Sequence, residues 1–267
     1  MKKIKLLFLP VLICTLFCQI AIAQQKPLSS ITNSGKVWAS LYQQRSAEYK
    51  ALCFQAYNIA RLRLDAALKV KGKKPLAVIT DIDETVLDNS PYDAARAIND
   101  LDFDLAGWKA WTAKGIADTV PGAPSFFKYA ASKGVAVFYI TNRDEDERAG
   151  TLKNLQLYHM PYADNAHLIL KQQISSKEAR RQQVLKNYNV VLFCGDNLPD
   201  FNALYDNKPA EESRTATTEK LKKQFGNKYI VIPNPVYGDF ENALFQNKKY
   251  SNSQKDSVIR AILKTDK

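Results

Sequence analysis

Histidine and cysteine are both scarce in this chain of 267 residues: the histidines are His159 and His167, and there are four cysteines. A zinc centre of the usual Cys and His type has almost nothing to be built from. A Ser-His-Asp hydrolase or a histidine phosphatase is as poorly supplied. Internal repeats and low-complexity tracts are absent, which sets aside fibrous arrays. With 46% hydrophobic and 24% charged residues the composition is that of a globular protein rather than a disordered one. The length suits one large domain, with or without an elaboration.

What is present begins with a distinct leader. Met1-Lys2-Lys3-Ile4-Lys5 is positive, Leu6 to Ile22 is apolar, and Ala21-Ile22-Ala23 has the small-x-small pattern of a signal-peptidase site. Residues 1–23 read as a cleaved secretory signal, cut after Ala23, so a periplasmic or secreted protein is expected. A membrane anchor is the competing reading, but an apolar stretch of about 17 residues is at the short limit for spanning. Lipid attachment at Cys14 or Cys18 is disfavoured, since the bulky Ile13 and Phe17 precede them. Loss of the leader removes Lys2, Lys3 and Lys5, which lowers the formal net charge from +11 by three to +8 and leaves Cys53 and Cys194. Two cysteines do not make a disulfide scaffold, and both lie in apolar patterns that predict buried thiols. The positive balance suits an anionic substrate or surface without choosing among phosphate esters, nucleic acid and lipid headgroups.

From Ser34 to Val70 apolar residues recur at three- and four-residue spacings, predicting one or two amphipathic helices that end at Gly72 and Pro75. Short apolar runs follow at Leu76–Thr80, Val135–Thr141, His167–Leu170, Val190–Cys194 and Tyr229–Ile232, which read as buried strands. Helices are expected over Ser125–Lys133, Glu145–Leu157 and Lys177–Asn187. This alternation predicts an α/β fold, a mostly parallel five-stranded sheet covered on both faces. The insertion Thr85 to Gly122 exceeds the dozen or so residues that a crossover needs, and it reads as part of a cap over the sheet's carboxyl edge. The resulting domain, 24–267, divides into a core of about 75–84 and 121–267 and a helical cap of about 34–70 and 85–120. Asp206 to Thr218 reads as an exposed loop before a further helix.

Ligands of such sheets bind beyond the carboxyl ends of the strands. There the sequence places Asp81 and Asp83 after the first strand, Thr141-Asn142-Arg143 after the second, and Asp196 and Asp200 after the fourth. Crowded carboxylates raise one another's pKa, and the economical explanation is a hard divalent cation such as Mg²⁺. For a lone Asp-x-Asp, loop capping would be the simpler account. The acids Asp102, Asp104, Asp144, Glu145, Asp146 and Glu147 read as solvated or helix-start residues, and His159 and His167 as structural.

The run Asp81-Ile82-Asp83-Glu84-Thr85-Val86-Leu87-Asp88-Asn89 with Tyr92, paired with Gly195-Asp196-Asn197-Leu198-Pro199-Asp200-Phe201, resembles the signature of class C bacterial acid phosphatases. These belong to the haloacid-dehalogenase-like (HAD) superfamily of aspartate-nucleophile phosphatases. The resemblance extends to the N-terminal helices, Thr141-Asn142-Arg143 and Pro233-Asn234-Pro235-Val236-Tyr237-Gly238. It implies a Rossmann-like three-layer core with a small cap. It also implies Asp81 as nucleophile and Asp83 as general acid and base. Mg²⁺ would be held by Asp81, the Asp83 carbonyl and Asp196, with Asp200 as ligand or support. Thr141, Asn142 and Lys177 would bind phosphate, Lys171 being the nearby alternative to Lys177.

Tyr92, Trp108, Trp111 and Tyr237 are aromatics near the expected cap. Their reading is divided between stacking on a leaving group and packing within the cap. The resemblance implies hydrolysis of phosphomonoesters, including nucleoside 5′-monophosphates, at acid pH through an aspartyl-phosphate. A small phosphate ester is the expected partner rather than a nucleic acid polymer, with a homodimer as an option. Many relatives are lipoproteins, a trait at odds with this leader. Plant storage relatives lack the nucleophile that Asp81 supplies here. A phosphotransferase, or a non-catalytic secreted anion-binding protein, stands as the alternative.

Overall fold

The computed structural model describes residues 30–266. The expected signal, residues 1–23, lies outside them. Ser30 opens α1 (Ile31–Arg45) by accepting a hydrogen bond from the Asn33 amide. Ser46 then leaves helical geometry, ending α1 and capping α2 (Ala47–Leu68) through the Tyr49 amide. One serine thus splits the long helical pattern into two helices.

The strands β1 (Leu76–Thr80), β4 (Ala136–Ile140), β5 (Leu168–Ile169), β6 (Asn189–Gly195) and β7 (Tyr229–Val231) form one sheet in the order β5-β4-β1-β6-β7. Every neighbouring pair is parallel. Val78 stands opposite Val137 on one side and Leu192 on the other, at the centre of the sheet. Both faces are covered, which is why the strands read as continuous apolar runs. On one face Val78, Val137 and Leu192 pack with Tyr57 and Leu64 of α2 and Phe127 of α5 (Ala123–Ser132). On the other, Ile79, Phe138 and Phe193 meet Val184 of α7 (Glu178–Asn187). Burying each such side chain contributes roughly 1.5–3 kcal/mol.

Between β1 and α5 runs the insertion, pinned at its base by an antiparallel pair, β2 (Leu87–Asp88) with β3 (Asp118–Thr119). It carries α3 (Ser90–Ile98) and α4 (Leu105–Thr112). Helix α1 packs on α3 and on the C-terminal α10 (Asn252–Ile262), whereas α2 runs down onto the sheet. Helix α6 (Arg148–Leu157) follows the turn Glu145–Glu147, and α9 (Asp239–Leu244) follows the loop after β7.

One expectation is corrected. The segment Asp206 to Thr218 is not loop throughout, because α8 spans Glu211–Leu221. Only Arg214 of this helix is buried, so it has no apolar stripe to read. Its start is marked instead by Glu211 and Glu212 in the first turn, where the helix dipole favours acids. Cys53 and Cys194 are buried free thiols.

Candidate active site

At the carboxyl edge of the sheet β1 lies between β4 and β6, and its exit is fixed when the Asp81 amide donates to the Cys194 carbonyl at 2.9 Å. The next turn closes on one acceptor: the Ile82 carbonyl takes the amides of Thr85, Val86 and Leu87. Glu84 adopts the left-handed region, φ 54°, to make this turn. Tyr57 of α2 buttresses it by donating to the Thr85 carbonyl at 2.6 Å. Asp81 and Asp83 are thereby held over the end of their strand.

Lys177, 5% exposed, reaches between two carboxylates, with Nζ 2.5 Å from Asp81 Oδ1 and 2.6 Å from Asp200 Oδ1. Lys171 instead pairs with Asp144. Asp196 accepts hydrogen bonds from Thr85 Oγ1 at 3.2 Å and Asn234 Nδ2 at 2.8 Å. Carboxylate oxygens of Asp81, Asp196 and Asp200 lie within 4.8 Å of one another. Three carboxylates sharing one lysine leave excess negative charge, and the donor set is all oxygen. Both features fit a hard divalent cation. A second acidic group, Asp144, Asp146 and Glu147, is already occupied: Lys109 and Lys171 neutralise the aspartates, and Glu147 bonds Thr112.

The side chain of Asp83 stands apart from that cluster. Arg143, which is buried, grips it through Nη2 at 2.7 Å and Nε at 3.1 Å, and Asn89 donates to it at 2.9 Å. Thr141 is fully buried; its hydroxyl lies 3.4 Å from Asp83 Oδ2 and accepts the Arg143 amide at 3.1 Å. Asn142 borders the cavity, held by Arg180 Nη2 at 2.7 Å. The first turns of α7 therefore serve three loops. Lys177 takes Asp81 and Asp200, Arg180 holds the Thr141 carbonyl and Asn142, and Arg181 donates to the carbonyls of Pro199 and Asp200. Neither arginine stood out in the sequence, because a buried cation and a solvated one look alike there.

Above these groups opens a cavity of about 500 Å³, in the range of small-molecule sites. Asp81, Asp83, Asn142, Lys177, Asp196 and Asp200 line its floor, while Phe103, Trp108 and Tyr237 line its walls. Tyr237 donates a hydrogen bond to the buried Glu84 carboxylate, so the rim is tied to the β1 turn. Tyr92, which the sequence leaves divided between contact with a leaving group and packing within the cap, takes a supporting place. It is buried behind the wall, edge-on to Trp108 at 5.3 Å and bonded to the Asp104 carbonyl. Trp111 likewise turns inward, donating to Asn89 Oδ1 at 2.9 Å.

Burial dominates the electrostatics. It pushes the Asp81 carboxyl up from 3.8 to about 7 despite Lys177, with Asp200 and Asp83 adding to the rise. Asp93, which lines the cavity, is pushed up to about 7 by burial, opposed by Lys36. Burial also drives Asp196 well above the carboxylate range, with Asp200 and Asp81 adding to it. Asp81 and Asp93 each bind their proton more tightly folded than unfolded, so the stability they contribute is complete below about pH 4 and lost as pH rises through about 7. The melting temperature of metal-free protein is therefore expected to fall across that window, and a divalent cation at the upper end to restore it. A melting temperature that rises with pH in chelator would contradict this placement of the acids.

Gly195 is constrained by close approach. A Cβ there would meet the Asp200 side chain at 2.5 Å. Gly195→Ala is expected to displace Asp200 and raise the metal concentration needed for half-maximal activity by about tenfold, in line with losses of supporting contacts at metal sites. A metal titration of the variant checks this; an unchanged curve would refute it.

Comparison with known proteins decides the family. The family model for the HAD superfamily, subfamily IIIB (Acid phosphatase), matches residues 19–240. The chain belongs to this family of acid phosphatases. The class C acid phosphatase of Bacillus anthracis superposes with a TM-score of 0.83 at 39% identity, over 88% of this chain and 98% of that one. The same enzyme with tungstate bound matches at 38% identity, a TM-score of 0.83 and the same coverage. The stem 31 kDa glycoprotein of Glycine max is 28% identical over 165 residues, 60% of this chain and 58% of its own length. HAD phosphatases use a divalent metal, and the buried cluster of Asp81, Asp196 and Asp200 is where this member could hold one.

Proposed function

We propose that this subfamily IIIB member is a Mg²⁺-dependent acid phosphatase that hydrolyses phosphomonoesters through an aspartyl-phosphate, and that nucleoside 5′-monophosphates are among its substrates. The observation carrying this reading is the placing of Asp81 on the cavity floor, between Lys177 and the other two carboxylates of the cluster. The tungstate complex of the Bacillus enzyme supports it, since tungstate is a tetrahedral oxyanion like phosphate.

In this mechanism Asp81 attacks phosphorus and expels the alcohol, to which Asp83 gives a proton. Asp83 then removes a proton from water, and the attack of that water on the phosphoaspartate frees phosphate and returns Asp81. Lys177 neutralises charge on the phosphoryl oxygens, which is most of what a protein can do for this reaction. Arg143 orients Asp83 before the proton moves. Asp81, Asp196 and Asp200, with the Asp83 carbonyl, are the residues that would hold Mg²⁺, which supplies charge neutralisation for the transferring group. Acid pH is proposed as the working range on the strength of the family, and a cation held at the cluster would favour the ionised form of Asp81 that attacks. Phe103, Trp108 and Tyr237 offer ring faces to a nucleobase.

The test is p-nitrophenyl phosphate hydrolysis near pH 5 to 6 with chelator and with added Mg²⁺. Chelation is expected to lower the rate by a factor on the order of 10² or more, and Mg²⁺ to restore it. Full activity through rigorous chelation would remove the metal from the mechanism. A panel of nucleoside 5′-monophosphates and a sugar phosphate then ranks the leaving groups.

A further inference from the structure

The edge of the sheet opposite the cavity carries a charge pattern that catalysis does not use. Strands β4, β1, β6 and β7 are adjacent, so the segments entering them lie side by side along one edge. Lys69, Lys71, Lys73 and Lys74 precede β1, and Lys133 precedes β4. Lys186 precedes β6, and Lys220, Lys222, Lys223 and Lys228 precede β7. These four entries, residues 69–75, 133–135, 186–188 and 220–228, contain ten lysines and no Asp or Glu, and Lys222 pairs with Glu219 just before the last of them. Nine of the ten are exposed, Lys228 being half-buried.

Contacts bind the entries into one face. Lys74 donates to the Leu185 carbonyl at 2.9 Å, and Arg63 to the Gly226 carbonyl at 2.9 Å. Helix dipoles account for part of this, with Lys186 and Lys220 in the last turns of α7 and α8 and Lys69 and Lys133 at the C-caps of α2 and α5, but Lys71, Lys73, Lys74 and Lys228 lie beyond the helices. Acids gather instead at the strand exits, where Asp81, Asp83, Asp196, Asp200, Asp239 and Glu241 border the cavity. The molecule is thus polar along its strands, basic at the entries and acidic at the exits. Beside the lysines two aliphatic side chains project into solvent, Leu62 at 65% and Val70 at 70% exposure.

We propose that this edge is a docking surface for an anionic phospholipid membrane, which it would meet with the cavity mouth facing away. Lysine clusters read lipid headgroups as point charges, and exposed aliphatics beside them suit the interface between headgroups and acyl chains. The exposed large apolar side chains here are aliphatic, whereas single-stranded nucleic acid needs aromatic stacking platforms.

The full chain is tested by co-sedimentation with vesicles of phosphatidylglycerol and phosphatidylcholine in equal parts, and of phosphatidylcholine alone. Binding is expected to the first alone and to weaken steeply with salt. Substituting Lys69, Lys71, Lys73 and Lys74 by Gln is expected to weaken it by about 10²-fold or more. Substituting Lys50, Lys208, Lys248 and Lys249 by Gln makes the same change in net charge off the patch and should leave binding within about threefold. Hydrolysis of p-nitrophenyl phosphate should match the parent in both variants, which separates loss of the patch from loss of the fold. Equal binding to neutral vesicles, equal effects of the two variants, or tighter binding to single-stranded DNA than to the anionic vesicles would overturn the proposal.

Discussion

Replacing Asp81 by asparagine is expected to lower kcat by a factor on the order of 10⁴ or more, as loss of an essential nucleophile does, while the fold stays intact. The amide has the shape of the carboxylate but cannot attack phosphorus. Lys177 keeps its contact with Asp200 at 2.6 Å, so no buried cation is stranded. The folded protein already holds the Asp81 proton up to about pH 7 because burial penalises the charge. A permanently neutral side chain should therefore cost no stability in the metal-free protein, and its melting temperature should equal or exceed the parent's at neutral pH. Turnover of p-nitrophenyl phosphate and thermal denaturation in chelator together check both halves. Normal hydrolysis by the variant would end the mechanism.

Lys177→Met carries the second large effect, and it falls on stability as well as rate. The lysine is buried between Asp81 and Asp200, and removing one partner of such an arrangement costs about 3–5 kcal/mol because the remaining charges stay buried and unpaired. The loss should be smaller at acid pH, where Asp81 can take its proton, and larger above about pH 7. Divalent cation should recover part of it by replacing the missing positive charge. The rate should fall by a factor on the order of 10² or more with the phosphoryl oxygens left unneutralised. Denaturant unfolding at two pH values, with and without Mg²⁺, distinguishes this from a packing defect. A loss independent of pH and metal would mean that Lys177 acts as spacer rather than as charge.

How much of this was legible in the sequence follows from which forces leave local traces. Apolar runs such as Leu76–Thr80 and Val190–Cys194 declare strands buried on both faces, and the sheet contains both. Aspartates at strand exits declare a site, because unpaired buried carboxylates are too costly to occur in a cluster by chance. Side-chain direction leaves no such trace. Tyr92 and Tyr237 read alike, yet one supports the wall and the other forms it, since only Tyr237 is drawn to the rim by Glu84. Arg180 and Arg181 carry no mark of burial in the sequence, because their burial comes from backbone carbonyls that other loops bring to them. The start of α8 was misplaced for a related reason, because its lone buried side chain is an arginine.

The central claim is that Asp81 becomes phosphorylated during turnover. Rapid acid quenching during steady-state hydrolysis, followed by proteolysis and mass spectrometry, tests it directly. A phosphoryl adduct is expected on the peptide containing Asp81, present only while substrate remains and absent from Asp81→Asn. An adduct on another residue, or turnover at the parental rate by the variant with no adduct, would contradict the account.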